Sequence, residues 1–376
     1  MNEDKAARYH RLRRQASLLE TLVVALALVL LLASGGSAAL RAWAWAATGQ
    51  SNALSIALYT AVVVLLSELL QVPLAFYQGV VLERRYDLST QATGRWWGDR
   101  LRALMVGLPL AIAGAVLVWS LIGWTPAYWW VSAAVCLAIL LMLMAHLAPV
   151  LLLPLFYRFT LLDRPALTSR LVALAERAGT QVLGVFEWRM SDRTRKANAA
   201  LTGIGRTRRI LLSDTLLAAH SDDEVEVILA HELAHHVHHD IWKAIALEFV
   251  LILVGFFLAD RALQTAVGHF GISGKADIAG LPLFVLTGGA VSLLLLPVAN
   301  AVSRLHERRA DRYALDMTGN PAAFASAMKR LSVQNLAEER PSRWVEMFFH
   351  SHPSIAERID AAHRWTRDSG LGARKL

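Results

Sequence analysis

Six windows of this sequence are long and apolar enough to cross a bilayer, whose roughly 30 Å hydrocarbon core takes about 20 mostly apolar residues of helix. They cover residues 21–39, 53–76, 103–124, 128–156, 244–258 with its flanks, and 281–302. Glu68, His146 and Glu248 are the ionisable groups inside them, and such groups face protein or water rather than lipid because a charge at mid-bilayer costs about 2.5–3.5 kcal/mol on insertion scales. With 55% hydrophobic and only 18% charged residues, the chain is too apolar for an ordinary soluble enzyme. The first window also resembles a cleavable signal peptide, with a basic start and the small residues 34–39; we read it as a retained helix.

Cations set the orientation. Lys5, Arg8, Arg11, Arg13 and Arg14 precede the first window, and Arg84, Arg85, Arg95, Arg100 and Arg102 lie between the second and third, so both segments are expected in the cytoplasm. Alternation of six spans then puts the two long polar stretches, 157–243 and 303–376, on that same side. The formal charge of +8 is spread over juxtamembrane segments, which suits anionic lipid better than nucleic acid, and no nucleic-acid partner is expected. Cys136 is the sole cysteine, so any metal site must use histidines and carboxylates.

The predicted organisation has four parts: a membrane region over 1–156 with four spans and a cytoplasmic loop at 77–102, a polar unit over 157–240, two further spans within 241–302, and a second polar unit over 303–376. Pro165 starts and Gly179 ends an amphipathic helix bearing Leu167, Leu171, Leu174 and Ala175 on one side. VFEWRMS, NAALTGI and RRILLS read as a small antiparallel sheet. Ser221 and the acids after it favour a helix start, and that helix runs into ILAHELAHHVHHD, with five histidines in thirteen positions. Past the sixth span, SRLHERRADRYALDMTG reads as a helix ended by Gly319, followed by helices over about 321–338 and 355–365.

His231 and His235 lie four apart, so both project from one side of a helix and can reach one tetrahedral zinc. Glu232 between them completes H-E-x-x-H, in which the glutamate takes a proton from water rather than binding metal. His239 is also four residues beyond His235, but no glutamate follows His235, and His236 and His238 point elsewhere around the helix; all three are assigned supporting, surface or membrane-interface roles. A catalytic zinc needs a third protein ligand and an open position. Glu307 offers the ligand, with Asp311 one turn further on to accept a hydrogen bond from a ligand imidazole; His306 and Glu346 are rivals for the third place.

HELAH followed after two spans by SRLHERRAD resembles the paired H-E-x-x-H and S-R-x-x-E-x-x-A-D motifs of the integral-membrane zinc metalloproteases that include the CAAX prenyl endopeptidases, which are gluzincins. VLERRYDLSTQATGRWWGDRLR, PLFYRFTLL, ANAALTG, RRILLSDTLL and HSHPSIAERI resemble further family segments in the same order, over about residues 53–361. The resemblance implies a polytopic α-helical membrane protein of about six spans with an α+β zincin-like cytoplasmic catalytic domain. It implies one Zn2+ on His231, His235 and Glu307, with Glu232 as general base. Asn198 and Ala199 would lie on an edge strand that pairs with an extended peptide, and His352 and Arg358 near the developing oxyanion. Two departures weaken any transfer of substrate: the chain begins one membrane helix later than the seven-helix eukaryotic enzymes, and Tyr86-Asp87-Leu88 stands where Phe-Asn is usual.

The expectation is therefore a zinc endopeptidase of a bacterial inner membrane acting on membrane-associated peptides or membrane proteins, with CAAX-like, lipidated substrates one option. A heat-shock-type quality-control membrane protease and a zinc transporter or metal sensor are the alternatives.

Overall fold

The computed structural model describes residues 2–147, 153–203 and 207–369. Five of its helices are long and apolar enough to cross a membrane, and a shorter apolar helix covers Trp129–Met144. α1 (Asn2–Ala33) stops inside the first apolar window, because Gly35 takes a left-handed conformation (φ 74°) before α2 (Gly36–Ala47) begins. α3 (Asn52–Phe76) contains Pro73 and passes into a π-type turn at Tyr77–Leu82 before α4 (Glu83–Arg85). A proline without an amide hydrogen is a physical cause for such a break in the helical ladder. α5 (Thr93–Trp124) and α6 (Trp129–Leu147) follow. Residues 148–152 of the fourth window, and the side chain of His146, lie outside the described residues. Glu68 accepts a hydrogen bond from Arg100 Nη2 at 2.8 Å, so its charge is compensated by protein.

After α7 (Leu153–Phe156), the first polar stretch forms β1 (Phe159–Leu161), α8 (Pro165–Arg177), β2 (Gly184–Trp188), β3 (Ala199–Thr202), β4 (Arg209–Ser213), α9 (Asp214–Ala219) and α10 (Asp222–Val237). The sheet order is β1-β2-β4-β3, and it is mixed rather than wholly antiparallel: β2 and β4 run parallel, with Val185 opposite Ile210. β4 is buried from Ile210 to Ser213, a continuous buried run typical of strands enclosed on both faces, which carries no alternation to betray its partner's direction. β1, absent from the sequence reading, adds the outer strand beside β2.

α11 (Asp240–Ala266) and α12 (Leu281–Thr318) form the next pair of apolar helices, and α13 (Pro321–Asn335), α14 (Arg343–Phe349) and α15 (Ile355–Asp368) complete the chain. α12 is one unbroken helix of 38 residues where the sequence suggested a span and a separate helix. At 1.5 Å per residue it is about 57 Å long, well beyond a ~30 Å hydrocarbon core. The histidine-rich helix is correspondingly shorter than expected: α10 ends at Val237, and His239 has φ 57°.

Both polar stretches share one core. Leu167, Leu171 and Leu174 of α8, Ile210 and Leu212 of β4, Leu229 and Leu233 of α10, and Phe324 of α13 are buried in a single cluster. The loop between α3 and α5 and the first turns of α5 are tied to the segment before β3: Asp99 of α5 pairs with Arg193 through both terminal guanidinium nitrogens, and Arg195 N–H donates to the Leu88 carbonyl of the loop at 2.8 Å. α10 starts with a reciprocal cap, in which Ser221 Oγ accepts from Glu224 N–H at 3.3 Å and Glu224 Oε2 from Ser221 N–H at 2.8 Å. Replacing Ser221 by Ala should lower stability by about 1 kcal/mol, read as a reduced melting temperature in detergent; an unchanged melting temperature would show that the cap is redundant.

Candidate active site

α10 presents His231 and His235 on one side because they are four residues apart, with ring centroids 5.0 Å apart and planes nearly perpendicular. α12 brings Glu307 to them from beyond the bilayer-length part of its helix. His231 Nε2 stands 3.2 Å from Glu307 Oε2 and His235 Nε2 3.4 Å from Glu307 Oε1. These three side chains form the one group of metal-binding geometry among the described residues, with ligand atoms all within 4.8 Å of one another. The rivals point away: His306 Nε2 lies 3.9 Å from Asp240, and Glu346 4.0 Å from Arg304.

The donor set fits zinc on an observation independent of spacing. Glu307 Oε2 is buried without a hydrogen-bond partner although an imidazole nitrogen is close, so electron-pair donors converge on a space that a cation would satisfy. Each imidazole is held from behind. His231 Nδ1 lies 2.9 Å from Asp311 Oδ1, and His235 Nδ1 lies 3.1 Å from Asp240 Oδ2. Arg358 forks onto Asp311, with Nε donating to Oδ2 at 2.9 Å and Nη2 to Oδ1 at 2.5 Å. Its Nη2 is also 3.3 Å from His231 Nδ1; since that nitrogen donates to Asp311, the two donors share one carboxylate oxygen.

Glu232, next to the ligands, is half-buried and makes no hydrogen bond or ion pair among the described residues. Burial, its largest influence, raises its pKa above the usual carboxylate value. His352 Nε2 reaches within 3.4 Å of Glu307 Oε1 from the exposed side, with its Nδ1 2.9 Å from Ser351 Oγ. β3 is the outer strand of the sheet. The Asn198 carbonyl accepts from Ser213 N–H, turned toward β4, so by alternation the backbone polar groups of Ala199 face the open edge. Further along that edge, the Leu201 carbonyl faces His236 Nε2 of α10 at 3.3 Å.

Of the other histidines, His238 stacks edge-on with Tyr313, and His239 sits in the turn between α10 and α11 instead of one helical turn beyond His235. Asp240 escaped the sequence reading. Its one available signal was an acid five residues after the second histidine, useful only once the helix break before it is known.

A membrane-embedded helical bundle carrying an H-E-x-x-H helix against a distant glutamate defines a zincin-type membrane metalloprotease. Residues 162–366 match peptidase family M48, and residues 2–158 match the CAAX prenyl protease N-terminal region with five membrane helices. The chain belongs to peptidase family M48, in its CAAX prenyl protease branch, and is a zinc metalloendopeptidase rather than a metal transporter. It is 31% identical to the uncharacterized metalloprotease YhfN of Bacillus subtilis over 89% of this chain and 79% of that protein. It is 28% identical to CAAX prenyl protease 1 of Saccharomyces cerevisiae over 79% of this chain and 69% of that one. The fold is that of the S. mikatae Ste24p crystal structure, with a TM-score of 0.86 at 23% identity, covering 96% of this chain and 89% of that chain.

Burial lowers the affinity of His231 for a proton, but the carboxylates of Asp311 and Glu307 outweigh it and raise the pKa to about 9. A metal must therefore displace a proton there. Zinc affinity should rise with pH up to about 9 and level off above it, measured by chelator competition; affinity independent of pH between 6 and 9 would contradict this ligand assignment.

Proposed function

We propose that the enzyme hydrolyses peptide bonds of membrane-associated substrates at the cytoplasmic face of a bacterial inner membrane, with zinc held by His231, His235 and Glu307. The observation that carries the reading is the unengaged Glu232 carboxylate beside that triad, on the same helix that runs along the open edge of β3. When bound, zinc supplies Lewis acidity toward water and the scissile carbonyl. Glu232 accepts a proton from the attacking water as its oxygen bonds to the carbonyl carbon. As the C–N bond breaks, Glu232 delivers that proton to the departing amine nitrogen. A raised pKa suits this exchange, since a base and acid in turn works best near the ambient pH.

The substrate lies extended beside Asn198 and Ala199, using the outward backbone groups of Ala199. His352, on the exposed side of Glu307, donates to the oxyanion. Arg358 serves the same region mainly through Asp311, which fixes the His231 ring. The cytoplasmic side is supported by Lys5, Arg8, Arg11, Arg13 and Arg14 in the first turns of α1, by Arg84 and Arg85 between α3 and α5, and by Arg95, Arg100 and Arg102 at the start of α5. The names of the fungal and plant relatives support CAAX-type substrates.

Glu232→Gln should keep its zinc and lose about 100- to 10,000-fold in kcat; a variant that stays active would refute the general-base role. Purified enzyme offered a farnesylated CAAX peptide, its unprenylated form and a misfolded membrane protein should cleave the first best. Preference for the misfolded protein would replace this substrate reading with quality control.

A further inference from the structure

We infer that Asp240 is a positioning residue for the metal centre, fixing the tautomer and orientation of the ligand His235 from the first residue of a membrane helix. The inference rests on the zinc reading above. It starts from the turn: α10 ends at Val237, and His239 adopts a left-handed conformation that is unfavourable for a non-glycine residue. The His239 carbonyl then accepts from Trp242 N–H at 3.1 Å and Lys243 N–H at 3.2 Å, so α11 is under way at once. A chain continuing as one helix would carry residue 240 around the helix axis and away from residue 235. The break instead turns Asp240 back toward His235.

The Asp240 side chain is 6% exposed, and each of its oxygens is engaged. Oδ2 lies 3.1 Å from His235 Nδ1, and Oδ1 lies 3.2 Å from Lys243 Nζ, with His306 Nε2 at 3.9 Å. A carboxylate in the first turn of a helix beside an ammonium group is favoured as the anion, and an ionised carboxylate only accepts hydrogen bonds. His235 Nδ1 must then carry the proton, which leaves the Nε2 lone pair facing Glu307 and the metal.

The two ligand rings are thus anchored by different membrane helices. Asp311 on α12 holds His231, and Asp240 on α11 holds His235. Glu307 is itself part of α12. Displacement of α11 against α12 would rotate one imidazole relative to the other two ligands.

The test uses the full chain in detergent, stripped of metal and titrated with zinc against a competing chelator, with cobalt absorption as a second readout. Asp240→Ala and the similarly sized Asp240→Leu should each weaken zinc binding by about 10- to 100-fold and shift the visible cobalt bands. Asp240→Asn, whose amide oxygen can accept the same Nδ1–H, should stay close to wild type in both. Wild-type affinity in the Ala or Leu variant, or an Asn variant as weak as they are, would overturn the inference. His235→Ala separates the premises: if wild-type protein and this variant bind zinc alike, the metal assignment fails, whereas a loss confined to His235→Ala leaves the metal assignment standing and removes the role of Asp240.

Discussion

Everything in this structure turns on a carboxylate and two imidazoles that lie on separate helices and meet where no hydrogen bond satisfies Glu307 Oε2. A buried carboxylate oxygen without a donor is costly unless a cation completes it. The fold meets that demand with a rigid device: α12 rises through the bilayer-length apolar stretch and continues without a break to Glu307 and Asp311. Span and ligand are one rod. The position of Glu307, the proposed third ligand, is therefore set by how α12 packs against α10 and α11, not by a loop.

The same economy appears around the ligands. Arg358 of α15 holds Asp311, Asp311 holds His231, and both Arg358 and Asp311 are buried enough for such charge-assisted bonds to hold their geometry. Glu232 stands apart from this network with its carboxylate unpaired. That division suits the roles proposed for them, since ligands need fixed orientation while a proton carrier needs a free oxygen. Asp99 of α5 pairs with Arg193 and the loop carbonyl of Leu88 with Arg195 N–H, so the first membrane region is tied to the segment that leads into β3.

Much of this was legible in the sequence where local rules decide. The apolar windows mark the membrane helices, Ser221 and Glu224 announce the cap of α10, and the four-residue spacing of His231 and His235 places both on one face. The illegible parts do not follow from local pattern. The parallel pairing of β2 with β4 leaves no trace in a strand buried continuously from Ile210 to Ser213. The break at His239 runs against a smoothly helical pattern, and the contact it makes, Asp240 of α11 against His235 of α10, is visible only once the two helices are placed. The continuity of α12 was hidden by the change from apolar to charged composition at residue 303, which marks emergence from the membrane and not the end of a helix.

Anomalous diffraction at the zinc edge from crystals of the full chain tests the account most directly. It predicts one strong peak bounded by His231 Nε2, His235 Nε2 and the Glu307 carboxylate. A zinc peak at His236, His238 or His239, with none at Glu307, would contradict it.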